Sequence, residues 1–163
     1  MYKLLISIFI VFLFIASCAQ NNLPIAGGVY EGKTVGIIDG DTINVLIDGQ
    51  SYKVRLAQID TPEKKQPYGS KSKQILSDLI FDKSVTIKIE TKDRYGRFVA
   101  DIYYDDKHIN AELVKLGAAW VYRKYIRDKS LFIYENNARE SKIGLWSLPE
   151  SERQPPWEWR KKN

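Results

Sequence analysis

Three short runs combine carboxylates with arginines at turns and strand ends. They are Asp39-Gly40-Asp41-Thr42, the segment from Arg55 to Glu63, and Asp93-Arg94-Tyr95-Gly96-Arg97. Carboxylates bind hard cations, and the forked guanidinium of arginine binds phosphate bidentately while staying charged at any working pH. Together these residue types suit metal-assisted cleavage of a phosphodiester. A protein that performs this chemistry must bring the three runs to one place.

Hydrophobic periodicity predicts the elements that position these runs. Alternating or continuous apolar segments indicate five strands, and helical spacing indicates three helices. The strands are expected at residues 34–38, 42–47, 52–59, 84–89 and 98–104, and the helices at 72–81, 110–117 and 128–142. Three strands, a helix and two strands follow each other as in an OB barrel. The predicted fold is therefore α+β, a five-stranded OB-fold β-barrel with three helices.

The acids Asp41, Asp60 and Glu63 are expected at one rim of this barrel, because the first and third strands end there. Two carboxylates about 4 Å apart repel by roughly 4 kcal/mol at an effective dielectric constant of about 20, and a divalent cation relieves this repulsion. Oxygen ligands favour calcium or magnesium over zinc. Each run alone is also an ordinary turn sequence. Two arginines, Arg55 and Arg97, converging on these acids indicate a site instead.

In order and separation, the three runs resemble the motifs of the thermonuclease (staphylococcal nuclease-like) family. The resemblance extends from about Val35 to Trp146 and includes the ending Gly144-Leu145-Trp146. It implies an OB fold and a calcium-dependent nuclease that hydrolyses the phosphodiester bonds of DNA and RNA, as an endonuclease and an exonuclease, leaving 3′-phosphates.

The resemblance also implies which residues hold calcium and activate water. Asp41 and Asp60 match the carboxylate ligands of calcium, and Thr61 matches a ligand that uses its main-chain carbonyl. Glu63 matches the proposed general base, which either takes a proton from the attacking water or positions that water. The implied cofactor is Ca²⁺.

Further residues match positions that contact the substrate. Arg55 matches a guanidinium that stabilises the transition state, and Arg97 matches its partner. Because the pKa of arginine lies above about 12, Arg97 is expected to act by electrostatic stabilisation more than by donating a proton. Arg94, Tyr95 and Trp120 match substrate-binding positions, and aromatic rings stack on the bases of single strands. DNA and RNA are the expected partners, with single strands preferred.

Two functions of other classes fit only part of this pattern. A noncatalytic OB-fold nucleic-acid-binding module would be expected to lose the acids, and a calcium-stabilised envelope protein would not need Arg55 and Arg97. His108 is the only histidine and lies in a turn that enters an apolar stretch, so we predict a surface or packing role for it. The sequence has no phosphate-cradling Gly-Lys loop, which argues against a nucleotide triphosphatase.

The first residues have the layout of a signal peptide. Lys3 precedes an apolar run from Leu4 to Ile15, which is shorter than the roughly 20 residues of a membrane-spanning helix. The sequence Ile15-Ala16-Ser17-Cys18 resembles the bacterial lipobox, in which the cysteine carries lipid. Cleavage after Ala19 is the alternative and would release a soluble protein. The chain is thus expected to be a cell-envelope lipoprotein anchored at Cys18, or otherwise secreted or periplasmic.

Length and charge complete the prediction. The 163 residues suffice for one folded domain, and the formal charge of +5 favours encounter with a polyanion without identifying it. The expected divisions are a signal peptide at 1–17, a flexible tether at 18–32, a nuclease OB-fold domain at 33–150 and a basic aromatic tail at 151–163. The tail is expected to be a solvated end with an aromatic latch onto the body. We expect a monomer.

Overall fold

A computed structural model describes residues 23–162, so the predicted signal peptide and Cys18 lie outside the described residues. The strands are β1 (Val29–Ile37), β2 (Thr42–Ile47), β3 (Gln50–Leu56), β4 (Ile59–Asp60), β5 (Ser84–Lys92), β6 (Phe98–Tyr104), β7 (Lys107–His108) and β8 (Trp120–Val121). The α-helices are α1 (Gly69–Ile80), α2 (Ile109–Lys115), α3 (Ser130–Glu140) and α4 (Pro156–Lys162). Short 3₁₀ turns occur at Arg123–Tyr125, Gly144–Ser147 and Glu150–Glu152.

Strands β1, β2, β3, β5 and β6 form a closed barrel. Antiparallel pairing joins β1 to β2 and β5, β2 to β3, and β5 to β6. Parallel pairing between β3 and β6, with Val54 opposite Phe98 and Arg55 opposite Val99, closes the circle. The chain order of three strands, a helix and two strands places α1 between β4 and β5. The OB-fold prediction is confirmed.

The barrel forms because its strands alternate in polarity. In β5, for example, Val85, Ile87 and Ile89 point inward and are almost fully buried. These β-branched residues suit extended backbone and pack well on a pleated surface. Leu76 and Ile80 of α1 join the same core from one end of the barrel. The interior is thus filled with side chains.

A second layer positions one acid of the site. Residue Asp60 of β4 pairs with Trp120 of β8, which lies between α2 and α3. The buried Ser72 hydroxyl of α1 donates to the Ala118 carbonyl at 2.7 Å, and the buried Glu135 carboxylate of α3 accepts a bond from the Val121 amide at 2.9 Å. The helices therefore fix β4 against the barrel.

Regular structure extends beyond the predicted nuclease domain at both its N-terminal and its C-terminal end. Strand β1 begins at Val29, so four residues of the expected tether belong to the sheet. Helix α4 lies in the expected tail and is a fourth helix beside the three predicted. Its first residue is Pro156, and proline is favoured at a first helical position because its missing N–H is not needed there. Among residues 23–162, none of the helices has the length and apolar character to cross a membrane.

Candidate active site

The turn between β1 and β2 packs closely on the residues that follow β4. A Cβ atom on Gly40 would lie 2.7 Å from the Thr61 hydroxyl oxygen and 2.9 Å from Ser72 Cβ, so glycine permits this approach. Asp41 then faces Thr61, whose amide donates to Asp41 Oδ2 at 3.0 Å. The Thr42 hydroxyl donates to the other oxygen, Oδ1, at 3.1 Å. The Asp41 carboxylate is therefore held in one orientation.

Arg55 lies beside Asp41 and Asp60 and touches both. Its Nη2 donates to Asp60 Oδ1 at 3.0 Å and lies 3.5 Å from Asp41 Oδ2. Its Nη1 donates to the carbonyls of Leu56 and Ile59, at 3.0 and 3.1 Å. Burial lowers the pKa of Arg55, but the charges of Asp41 and Asp60 outweigh burial and the pKa is raised. The guanidinium is thus fixed and charged.

The Asp60 carboxylate is the most deeply buried charge of the site, with 1% of its side chain exposed. Besides Arg55 it binds Arg160 of α4, whose Nη1 and Nη2 lie 3.2 and 2.7 Å from Asp60 Oδ1 and Oδ2. Burial is the main cause that raises the pKa of Asp60, and the charge of Asp41 adds to it. The hydrogen bonds and charges of the two arginines act in the opposite direction.

Glu63 stands on a loop whose backbone is tightly held. Its backbone amide donates to the side-chain oxygen Oε1 of Gln66 at 3.1 Å, and the backbone amide of Gln66 donates to the Glu63 backbone carbonyl at 2.8 Å. Gly69 begins α1 against the same carbonyl, which a Cβ at that position would overlap. The side chain of Glu63 is 39% exposed and accepts a bond from Arg160 Nη1 at 2.6 Å. Glu63 therefore borders solvent beside Asp60.

Asp39 also belongs to this acidic cluster, although no role was predicted for it from the sequence. Its Oδ1 accepts a bond from the Asp41 amide at 3.0 Å. Burial is the main cause that raises its pKa to about 6, and the charge of Asp41 is the next. Its place two residues before Asp41, in the same turn, was the signal that could have identified it.

The residues of this cluster fit a hard divalent cation. Their donors are the carboxylates of Asp41 and Asp60 and the backbone oxygen of Thr61, and such oxygen sets suit calcium. Burial is the main cause of the raised pKa values of Asp39 and Asp60, and the charge of Asp41 adds to both; a cation would offset this penalty on the charged forms. Within the described range, no three Asp, Glu, His or Cys side chains are grouped closely enough to hold a metal by themselves. Calcium would therefore need main-chain and water oxygens as well.

Arg97 lies next to the cluster in the barrel but is engaged in its own turn. It directly precedes Phe98, which pairs with Val54 on the strand that carries Arg55. Its backbone amide and Nε donate to Oδ1 and Oδ2 of Asp93 at 3.0 and 2.8 Å. Arg97 therefore lies just before the strand that neighbours β3, and the structure pairs it with Asp93, whereas Arg55 is paired with the site acids.

Tyr95 is the exposed aromatic residue near the site, with 69% of its surface accessible. The guanidinium of Arg94 lies 4.8 Å from its ring centroid, and that of Arg97 lies at 5.5 Å. Arg94 also donates to the Tyr95 hydroxyl at 2.6 Å. The ring is thus flanked by cations and open to solvent, as a base-stacking residue must be.

Trp120, in contrast, is 7% exposed. The rings of Trp146 and Trp157 meet it edge to face, with centroids at 4.5 and 5.9 Å. The Arg139 guanidinium also lies 4.8 Å from the centroid of the Trp120 ring, so the ring is covered from several sides. Its predicted role in substrate binding stays a prediction, and this packing makes it the least accessible of the residues assigned to the substrate.

Sequence reasoning missed Tyr122 and Arg160. Tyr122 stacks on Trp157 with centroids 5.5 Å apart and rings within 3° of parallel, and the Arg55 guanidinium lies 5.9 Å from its centroid. Strand alternation could have found Tyr122, because residues two apart share a face. No comparable pattern marks Arg160. The predicted packing role of His108 agrees with its 3.0 Å contact to Asp101.

The chain is similar in sequence to known proteins. The sequence profile described as "Staphylococcal nuclease homologue" matches residues 53–148. An "Uncharacterized endonuclease" of Escherichia coli is 41% identical over 138 residues, covering 84% of this chain and 89% of that protein. A protein of Haemophilus influenzae with the same description is 40% identical over 159 residues, covering 97% of this chain and 84% of the relative.

A "Micrococcal nuclease" of Shigella flexneri is 41% identical over 143 residues, covering 81% of each chain. These relatives are matched along most of their length as well as most of this chain. The barrel, the buried acids with their arginine and the matched region agree: the chain belongs to the staphylococcal nuclease homologue family.

Proposed function

We propose that this protein is a calcium-dependent phosphodiester hydrolase that cleaves DNA and RNA and leaves 3′-phosphate products. One observation carries the proposal: donors for a cation, a solvent-facing carboxylate and a fixed guanidinium share one hydrogen-bonded cluster. Family membership and nuclease relatives support the reaction class. The residues of the cluster are Asp41, Arg55, Asp60, Thr61 and Glu63.

Asp41, Asp60 and the Thr61 carbonyl are the residues that would hold calcium. When bound, the cation neutralises negative charge on the scissile phosphate. Glu63 borders solvent at 39% exposure, so its carboxylate can accept a proton from water that attacks phosphorus. The bond from phosphorus to the 5′-oxygen breaks, the 5′-oxygen takes up a proton from solvent, and the phosphate remains on the 3′-oxygen.

Arg55 is suited to stabilise the charge of the transition state. Two carbonyls and two carboxylates hold its guanidinium, so little reorganisation is needed when phosphate charge develops beside it. Arg97 can add a second guanidinium after leaving Asp93, and the exposed Tyr95 offers a ring to a base of a single strand. Arg94 is charged and exposed, so we propose that it contacts the phosphate backbone of the substrate.

The test of this proposal is release of acid-soluble nucleotides from denatured DNA and from RNA. The reaction is run with calcium, with magnesium and with chelator, and the 3′ ends of the products are analysed. Glu63→Gln is expected to lower turnover by at least about a hundredfold, and Glu152→Gln, an exposed acid on the C-terminal side, serves as the matched control. Binding of nucleic acid without cleavage under every condition would favour a noncatalytic OB module.

We also propose that the protein acts outside the cytoplasm with a lipid on Cys18. The support is the sequence before residue 23: a charged start, a short apolar run and a lipobox-like ending. Mass spectrometry of the mature N-terminus tests this. A diacylglycerol mass on Cys18, lost in Cys18→Ala, supports anchoring, whereas an unmodified N-terminus after Ala19 supports soluble release.

A further inference from the structure

Helix α4 delivers a third arginine to the site from the C-terminal end of the chain. Arg160 Nη1 lies 2.6 Å from Glu63 Oε1 and 3.2 Å from Asp60 Oδ1, and its Nη2 lies 2.7 Å from Asp60 Oδ2. One guanidinium therefore joins the carboxylate assigned to water activation to a carboxylate assigned to calcium. The shortest of its three bonds goes to Glu63.

The orientation of the Glu63 carboxylate depends on this arginine. The Glu63 backbone is fixed by Gln66 and by the close approach of Gly69, but these contacts do not touch the carboxylate. Among residues 23–162, the hydrogen bond and the ion pair found for the carboxylate both come from Arg160. The loop thus fixes the position of the Glu63 backbone, and Arg160 fixes the orientation of its carboxylate.

Helix α4 is held in place by contacts that are independent of Arg160. The Trp157 ring stacks on Tyr122 and meets Trp120 edge to face. The Gln66 side chain donates to the Gln154 carbonyl just before the helix, and Pro156 is buried. Arg160 lies about one turn after Trp157, so the anchored helix presents its guanidinium to the acids.

We propose that Arg160 is a positioning residue of the nuclease reaction, which orients the Glu63 carboxylate toward the attacking water. The inference rests on the proposed function of the same site. At Asp60 the guanidinium has the opposite effect, since it occupies both oxygens of a carboxylate that calcium would use. Removal of Arg160 therefore has two consequences of opposite sign, slower turnover and tighter calcium binding.

The rival interpretation is that α4 blocks the site. Arg160 keeps 42% of its side chain exposed and Glu63 keeps 39%, so the carboxylate assigned to water activation remains open to solvent beside the helix. An arginine that sealed the site would cover Glu63. The two interpretations also differ in measurable sign, because removing a plug would raise turnover together with calcium affinity.

The experiment compares Arg160→Ala with Lys161→Ala, which removes the same charge from the next, exposed residue of the helix. Turnover, KM and thermal stability are measured, and calcium binding is followed by calorimetry without substrate. For Arg160→Ala we expect kcat to fall about tenfold to a hundredfold, because small misplacement of a reacting group costs that much. KM should change little and calcium affinity should rise. Lys161→Ala should leave kcat and calcium affinity within about twofold.

Arg160→Lys keeps the charge but loses the fork, so its kcat is expected between those of Arg160→Ala and the unsubstituted protein. An unchanged kcat in Arg160→Ala would overturn the inference, as would a raised kcat, which indicates a plug. A joint fall of kcat, calcium affinity and stability would also overturn it, because that pattern indicates a structural role. If the unsubstituted protein cleaves no nucleic acid, the proposed function fails and this inference fails with it.

Discussion

At the scale of single residues, the site is defined by an imbalance of charge around Asp60. Two guanidiniums, those of Arg55 and Arg160, reach its buried carboxylate. More acids than arginines lie in the connected cluster, and the charge of Asp41 adds to burial, the main cause, in raising the pKa values of Asp39 and Asp60. A divalent cation compensates such an excess of negative charge with few new contacts. The cluster is therefore suited to bind a cation.

The raised pKa of Asp39 predicts how stability depends on pH in the metal-free protein. Its folded pKa is about 6 against 3.8 for the ordinary group, so the folded state prefers the protonated form. This preference stabilises the fold fully at pH below the ordinary value and is lost as pH rises through about 6. Relative to the unsubstituted protein, Asp39→Asn should therefore become more stable as pH rises from acidic to neutral.

Urea unfolding of both proteins in chelator, at an acidic and a neutral pH, measures this difference. Asp78→Asn, at an exposed position of α1, is the control. A stability difference that does not change with pH would contradict the charge crowding inferred at Asp39.

Arg97→Ala is expected to lower turnover by about a hundredfold, a loss typical of one transition-state donor. The matched control is Arg94→Ala in the same turn, which removes an exposed cation that stacks on Tyr95. It should raise KM for single strands more than it lowers kcat, and steady-state kinetics separates the two effects. Near-normal kcat in Arg97→Ala would mean that this residue remains with Asp93 during the reaction.

At the scale of elements, the turn between β1 and β2 controls the distance between Asp41 and the residues after β4. Gly40→Ala places a methyl group where Thr61 and Ser72 now lie. We expect a loss of roughly 1 to 3 kcal/mol in unfolding free energy, together with weaker calcium binding because Asp41 is displaced. Calorimetry with calcium and urea unfolding measure the two effects.

Gly49→Ala is the control for that substitution. Gly49 has a positive φ of 81° and open space around its Cβ position, in a turn away from the site. Alanine there should cost about 1 kcal/mol of stability through backbone strain and leave calcium affinity unchanged. Equal calcium affinity in both glycine variants would show that the approach of Gly40 does not position Asp41.

The elements also show which parts of the fold the sequence could predict. Strands such as β5 alternate strictly, so their periodicity predicted them, and the resemblance to family motifs predicted a site that contains the acids and Arg55, which the structure places in one hydrogen-bonded cluster. The first residues of β1 were missed because Gly27, Gly28 and Gly32 lie in and around them and indicate a loop. Arg160 could not be predicted, because its contacts reach across 97 and 100 residues and depend on how α4 docks.

The observed start of β1 predicts where the chain can be shortened. A protein beginning at Leu23 keeps the pairing of Val29–Lys33 with β5 and the packing of Tyr30 on the core. One beginning at Lys33 loses both and should be less stable by about 2 to 5 kcal/mol. Urea unfolding of the two proteins measures this difference. Equal stability would indicate that residues 29–32 belong to the flexible tether, as the sequence predicted.

At the scale of the whole molecule, the net charge of +5 and the arginines proposed to contact phosphate predict salt dependence. Each phosphate contact releases counterions, so KM for denatured DNA should rise about tenfold or more between about 50 and 200 mM salt. A dinucleotide with a single phosphodiester is the control and should respond less. Equal response of the two substrates would argue against contacts along an extended strand.

The parallel pairing of β3 with β6 makes cutting of nucleic acid a late event in folding. Arg55 lies opposite Val99 in this pairing, and Arg97 immediately precedes the first residue of β6, Phe98. Parallel contacts between distant segments form slowly compared with hairpins. A chain with its hairpins complete but the barrel open has Arg55 beside Asp41, because β2 pairs with β3, but it lacks the pairing that brings the start of β6, and with it Arg97, next to β3. In a refolding experiment, recovery of cleavage should therefore lag behind hairpin formation, so a partly folded chain would leave the nucleic acid around it intact.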